Sequence, residues 1–229
     1  MNIQPAFNAG PATGATAISF PTQSGGTSPG GLDGVRADWN IRMNLSHETG
    51  FVGGAGRLLI HNLVADERRE LTLLLPAALQ DRPGRLELAS AEVCSAKPGI
   101  SAAPGQSLPF RTEGAKVIVT IPILQLNDWV YVDVTWTGAI APGGLSYPGA
   151  QVPVGDFHPQ IAAQVTTDNG QQALAPVAAR YDVELGTDHG AIVRLDSGEH
   201  SSTESRPSPD GTMTMHEFKC YGSARIDAT

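Results

Sequence analysis

From Asp38 onward, the apolar residues of this chain fall on every second position. In "DWNIRMNLS", Trp39, Ile41, Met43 and Leu45 point one way, and Asp38, Asn40, Arg42 and Asn44 point the other. A period of two suits a strand with one face buried, and it cannot line up one side of a helix. The pattern returns in "GRLLIHNLV", "ELTLLLP" and "RLELASAEV". In "AKVIVTIPI" it places Val117, Val119, Ile121 and Ile123 on a single face. In "DWVYVDVTWTG", Val130, Val132, Val134 and Trp136 alternate with Trp129, Tyr131, Asp133 and Thr135. No window of about 12 or more residues carries a helical period. Strands at short spacing with turn residues between them predict an all-β fold, an antiparallel β-sandwich.

The connections are read from their turn chemistry. "GFVGGAG" reads as a hairpin turn ahead of "RLLIHN", and "APGGLSYPGAQVPVGDFHPQIAAQ" as a Gly/Pro-rich connection. "ARYDVELG", the turn "TDHG" and "AIVRLDSG" read as a hairpin. "EHSSTESRPSPDG" then reads as a polar loop, and "TMTMHEFKCYGSARIDA" as the last strand. No internal repeat is evident. Residues 1–34 are rich in Gly, Pro, Ser, Thr and Ala and contain no Lys or Arg. They hold too little apolar surface to offset the entropy of ordering, so the expected organisation is a flexible extended arm, 1–34, followed by a sandwich domain, 35–229.

A chain of 229 residues can bury a large core without metals or disulfides as staples. Its formal net charge of -8, from 15 basic and 23 acidic residues without a Lys/Arg cluster, excludes the electrostatic footprint of a nucleic-acid binder. No apolar run approaches the roughly 18 residues of a membrane span, so no transmembrane segment is expected. The N-terminus lacks the charged and apolar regions of a signal peptide. Read as a native start, it implies a cytoplasmic protein. An acceptor sequon at Asn44–Ser46 would matter only if the protein were exported by another route. Cys94 and Cys220 are far apart in sequence and could form one bridge or none; a free pair, in line with a reducing compartment, is the expectation.

One short stretch invites a metal. "HEFKC", His216 to Cys220, differs from the zinc-hydrolase signature His-Glu-x-x-His only in its last residue, and cysteine is also a zinc ligand. That signature works on a helix, where positions i and i+4 share a face. Here a Thr/Met alternation precedes it and Gly211 and Gly222 bracket it, so a strand is expected and a zinc site is not. The six histidines, His47, His61, His158, His189, His200 and His216, make no other ligand spacing. Asp168, Asp188, Asp196 and Asp210 could gather calcium at one end of a sandwich, but they lack the Asp-x-Asp-x-Asp spacing and read as turn residues. Trp129, Tyr131 and Trp136 could form a sugar platform, although Trp136 shares the valine face and belongs to the core. There is no nucleophile elbow or phosphate loop. No catalytic residue, metal or cofactor is assigned, and no small-molecule ligand is expected.

The order of segments resembles the N-terminal β-sandwich of the aminopeptidase N family of zinc peptidases. "ADWNIRMNLSHETGFVGGAGRLLIHNLVADERRELTLLLPAAL" is similar to that domain's opening strands, and "LNDWVYVDVTWTGAI" to its "y.l.i.y.G.i" strand. "GDFHPQIA" resembles its "W(F/Y)P" segment, "ARYDVELGTDHGAIVRLDSGE" the hairpin that follows, and "TMTMHEFKCYGSARIDA" its closing strand. The resemblance implies a saddle-like sandwich over about residues 36–228. It also implies that zinc and the His-Glu-x-x-His helix belong to a separate catalytic domain. The family's Gly-x-Met-x-Asn motif is absent, and "VTTDNGQQALAPVAAR" stands where its Pro-Cys-x-Asp turn would be.

The expected function is a non-catalytic interaction or scaffold module, an accessory subunit that docks on other protein subunits. Phe7, Ile18 and Phe20 in the arm are its candidate docking residues. The alternatives are the N-terminal domain of a zinc aminopeptidase, or a carbohydrate- or calcium-binding sandwich.

Overall fold

The computed structural model describes residues 35–46, 49–75, 86–139, 152–153, 158–166, 172–176, 179–188, 193–195, 199–208, 211–222 and 226–228. Every regular element among them is a strand. In chain order these are β1 (Val35–Leu45), β2 (Phe51–Asn62), β3 (Arg68–Leu74), β4 (Leu86–Ala96), β5 (Phe110–Glu113), β6 (Lys116–Leu124) and β7 (Trp129–Ala139). They continue with β8 (Val152–Pro153), β9 (Gln160–Thr166), β10 (Gln172–Pro176), β11 (Ala179–Asp188) and β12 (Val193–Leu195). The last are β13 (Glu199–Ser208), β14 (Gly211–Gly222) and β15 (Ile226–Ala228). The arm, with Phe7, Ile18 and Phe20, lies outside the described residues.

The strands form a seven-stranded sheet in the order β13-β14-β11-β1-β2-β7-β4, a five-stranded sheet in the order β10-β9-β3-β6-β5, and a three-stranded sheet, β12-β15-β8. The two larger sheets share one core. Trp39, Ile41, Leu58 and Val132 come from the first, and Leu71, Leu73, Val117, Val119 and Ile161 from the second. The alternation read from the sequence is what buries them: Ala37, Trp39, Ile41, Met43 and Leu45 of β1 all leave water, and a side chain the size of Ile41, Met43 or Leu45 gains about 1.5–3 kcal/mol by doing so. The sandwich is therefore as expected. One of its pairs is parallel: β1 runs alongside β11, with Asp38 opposite Arg180 and Leu45 opposite Thr187.

Several local expectations need correction. "GFVGGAG" is not the turn but the start of β2. The turn lies just before it, where Ser46 N donates to Phe51 O at 2.9 Å and Gly50 takes a φ of 71°. The glycines serve as floor space for aromatic rings. A Cβ on Gly54 would stand 2.6 Å from Trp136 Cζ2, and one on Gly56 would stand 2.8 Å from Trp39 Cζ3. Bare backbone at these positions lets two buried indoles lie flat against β2.

Ile123 leaves the face it was assigned to and is exposed, while Leu124 is buried in its place. Between the pairs Arg68–Leu124 and Glu70–Thr120, β6 has three residues opposite a single residue of β3, a bulge that includes Pro122. Proline has no N–H to give to the ladder, and the extra residues reset the alternation.

The "ARYDVELG" and "AIVRLDSG" segments do not pair as a hairpin. β11 lies between β1 and β14, whereas β12 pairs with β15 in the small sheet. "EHSSTESRPS" is a strand rather than a loop, β13, pairing with β14 at the margin of the large sheet. A marginal strand can be polar on both faces, which removes the alternation by which strands are recognised. The Gly/Pro-rich connection likewise contains β8 and the start of β9.

Candidate functional site

His216 and Cys220 lie on β14, in the middle of an antiparallel ladder. Four residues of extended chain put them about 13 Å apart, beyond the reach of a shared ion. His216 is buried at 3% exposure, opposite Leu185 of β11 and Thr203 of β13. Its Nε2 lies 3.2 Å from Thr187 Oγ1, and that hydroxyl donates to Thr214 O at 3.4 Å. The hydroxyl's remaining lone pairs suit an Nε2–H tautomer, so the imidazole satisfies a buried polar group. "HEFKC" is a strand segment whose histidine has a structural partner.

The other candidates are scattered. His61 lies on β2, half-buried, and burial, with the nearby Arg36 and Lys97, holds its pKa below the ordinary value. His200 is on β13, and Asp188 ends β11. His47, His189, Asp168, Asp196 and Asp210 lie outside the described residues. Among the described residues no three His, Cys, Asp or Glu side chains are gathered as a metal site would require. The aromatic trio is split by the pleat of β7. Trp136 is in the core at 1% exposure, while Trp129 and Tyr131 meet edge to face on the outer surface, ring centroids 5.6 Å apart.

Three built features went unread in the sequence. The first is His158, just before β9, buried at 3% exposure with its ring 5.6 Å from that of Tyr181 and 6.5 Å from that of Trp39. Trp39 and Tyr181 are direct partners across the parallel pair, so His158 covers the seam between β1 and β11. Burial pushes its pKa down to about 4, against a 2.9 Å hydrogen bond from Nδ1 to Pro159 O that acts the other way. The imidazole is therefore neutral at pH 7.

The second is Asn62, fully buried at the end of β2. Its amide donates to Asp66 O at 2.9 Å and Leu124 O at 3.0 Å, its backbone N donates to Asp128 O at 2.9 Å, and its carbonyl accepts from Asn127 N at 2.7 Å. One residue thus ties the β2–β3 corner to the end of β6 through its side chain and to the turn between β6 and β7 through its backbone.

The third is a lattice of cross-strand ion pairs on the outer face of the large sheet. Arg57 grips Asp133 with two bonds, at 2.7 and 2.9 Å. Arg42 pairs with Glu184 at 3.3 Å, and Lys219 with Asp182 at 3.5 Å. Cys94 on β4 stands beside the first pair. Burial and the Asp133 carboxylate raise its thiol pKa, which Arg57 partly offsets. The thiol is free.

No family model and no curated protein matches the chain. Solved structures do. The M1 zinc metallopeptidase from Deinococcus radiodurans superposes with a TM-score of 0.52 at 14% identity, over 87% of this chain and 43% of that one. A mutant of that enzyme bound to a Tyr-Ser-Ala substrate gives 0.51 at 14%, and a two-domain M1 zinc metallopeptidase mutant bound to L-arginine gives 0.52 at 14%, both with the same coverages. The fold is that of the N-terminal β-sandwich of M1 zinc metallopeptidases. The chain spans less than half the length of these metallopeptidases, and the likeness is confined to their non-catalytic part.

Proposed function

We propose that this chain acts as a non-catalytic β-sandwich domain of an M1-type zinc peptidase, with zinc and peptide cleavage supplied by a separate catalytic domain. The observation that carries this reading is the pairing of coverages, 87% of this chain against 43% of the M1 chain. It accords with the placement of "HEFKC" on a ladder strand, where the only ligand-like spacing in the chain is unusable for zinc. On this reading the sandwich contributes a rigid wall of strands rather than reacting groups.

The native protein from its source tests the proposal. Isolated by antibody, it should travel with zinc and with hydrolysis of an aminoacyl substrate, in one polypeptide or one complex. A native species of 23.9 kDa alone, without either, would overturn it. The isolated 229-residue protein should retain no stoichiometric zinc after dialysis and cleave no aminoacyl substrate. One zinc per chain, lost on His216→Ala, would contradict the assignment of His216.

The accessory-scaffold reading, with Phe7, Ile18 and Phe20 as docking residues, draws no support from the described residues. The sugar and calcium readings have no assembled site there either.

A further inference from the structure

His158 reaches the seven-stranded sheet from the opposite one. It stands just before β9, a strand of the five-stranded sheet, yet its ring lies 6.5 Å from that of Trp39 and 5.6 Å from that of Tyr181. Those two residues face each other across the parallel pair of β1 and β11. Within the large sheet that pair joins β13, β14 and β11 on one side to β1, β2, β7 and β4 on the other. One buried imidazole therefore covers the seam between two halves of a sheet.

The cover suits only a neutral ring. Nδ1 lies 2.9 Å from Pro159 O, which can only accept, so Nδ1 carries the proton and Nε2 the lone pair. A second proton would place a charge among groups that cannot answer it. The inner face of β1 presents Ala37, Trp39 and Ile41, and that of β11 presents Ala179, Tyr181 and Val183, all buried. Trp39 Nε1 is itself a buried donor without a partner, so the indole offers a new N–H no acceptor atom. Leu58 stands opposite Trp39 on β2, and β9 contributes Ile161 to the core. The titratable neighbours are Tyr181 and, at the register position opposite it on β14, Cys220. Phenol and thiol are both uncharged below pH 7. The charged residues of the two strands, Arg36, Asp38, Arg42, Arg180, Asp182 and Glu184, occupy the alternate positions, on the outer face, where Arg42 and Glu184 pair across the same seam.

We propose that His158 is an acid-sensitive catch on this seam: once its ring takes up a second proton it leaves Trp39 and Tyr181, and the ladder between β1 and β11 opens from that end. The inference is independent of the peptidase reading. Its direction follows from linkage. In the closed seam burial holds the pKa at about 4, whereas a released ring returns to the ordinary 6.5, so protons favour the open form as the pH falls between those values. From about pH 7 to about pH 4.5 the ratio of open to closed seam should rise about fiftyfold. Below the folded pKa both forms are protonated and the ratio gains no more.

Hydrogen exchange in the full-length protein, corrected for intrinsic rates, tests the catch. Protection around residues 39 and 181 should fall about fiftyfold over that range, and protection in the β2–β7 ladder around residues 58 and 132 should fall far less. An equal fall in both ladders would overturn the proposal, because acid would then act on the whole domain. His158→Phe keeps a ring over the seam that takes no proton, so the pH dependence around residues 39 and 181 should vanish. A fall of the original size in that variant would also overturn the proposal. The unmutated protein supplies a check of its own: the His158 ring signals in NMR should titrate near 4, and titration near 6.5 would reveal a ring already in water and refute the catch.

Discussion

Trp136 on β7 lies directly opposite Gly54 on β2, and its indole occupies the space that a side chain at residue 54 would need. Gly54→Ala should therefore destabilise the protein, although by lowering the entropy of the unfolded chain alanine alone would favour the fold by about 0.4–1 kcal/mol. The added methyl also meets Arg42 O at 2.8 Å, a backbone atom that cannot swing aside. We expect a net loss of about 1–3 kcal/mol, read as a lower urea midpoint at unchanged slope. Ala55→Ser, on the exposed neighbour, should stay within about 0.5 kcal/mol.

His158 predicts sensitivity to acid. Its folded pKa of about 4 lies below the ordinary 6.5, so between those values the unfolded chain takes up a proton that the folded chain refuses. Stability should fall as the pH drops from 6.5 towards 4 and gain no further slope from this group below that. The full contribution is about 3 kcal/mol at 1.36 kcal/mol per unit. Denaturant titrations across this range should show a shallower decline in His158→Gln. Equal slopes would mean that the ring is charged or solvated in the native state.

Asp133 links a salt bridge to a thiol. The Arg57–Asp133 pair is half-exposed, so Asp133→Asn should cost only about 0.5–1 kcal/mol, less in high salt. The same change removes a carboxylate that raises the Cys94 pKa and leaves Arg57, which lowers it. In a Cys220→Ser background, Cys94 should then react faster with a disulfide reagent at pH 8. An unchanged rate would show that burial alone controls the thiol.

Asn62→Ala should cost about 2–3 kcal/mol, because it leaves the buried carbonyls of Asp66 and Leu124 without their donor. Asn62→Asp, which offers those carbonyls a lone pair instead of an N–H, should be at least as damaging. Thermal melting of the two variants ranks them.

What could be read in advance follows from where the information lies. β1, β6 and β7 were legible because each has one face on the core, and burial writes itself into the sequence every second residue. β13 has no such face, and β2 begins with glycines chosen for their lack of a side chain, so both were mistaken for connections. The pairing of β11 with β1 depends on residues about 140 positions apart and leaves no local mark, whereas "TDHG" is a plausible turn that the chain does not use to pair its neighbours. His158 was missed because it sits in a segment without period, "GDFHPQ", and its environment is supplied by Trp39 and Tyr181 from elsewhere. "HEFKC" was legible as strand because that needed only the local choice between helix and strand.

The parallel junction also sets an order of events during synthesis. β1, β2, β7 and β4 can assemble once Ala139 has left the ribosome, but the other margin of β1 has no partner until residues 179–188 follow. Through that interval β1 is an open strand edge with Trp39, Ile41 and Met43 along it, the kind of surface that recruits other nascent chains. The closing step then joins segments of high sequence separation, which makes it slow. A chain circularly permuted to begin at β11 would reverse the timing and present the seam to its partner from the outset.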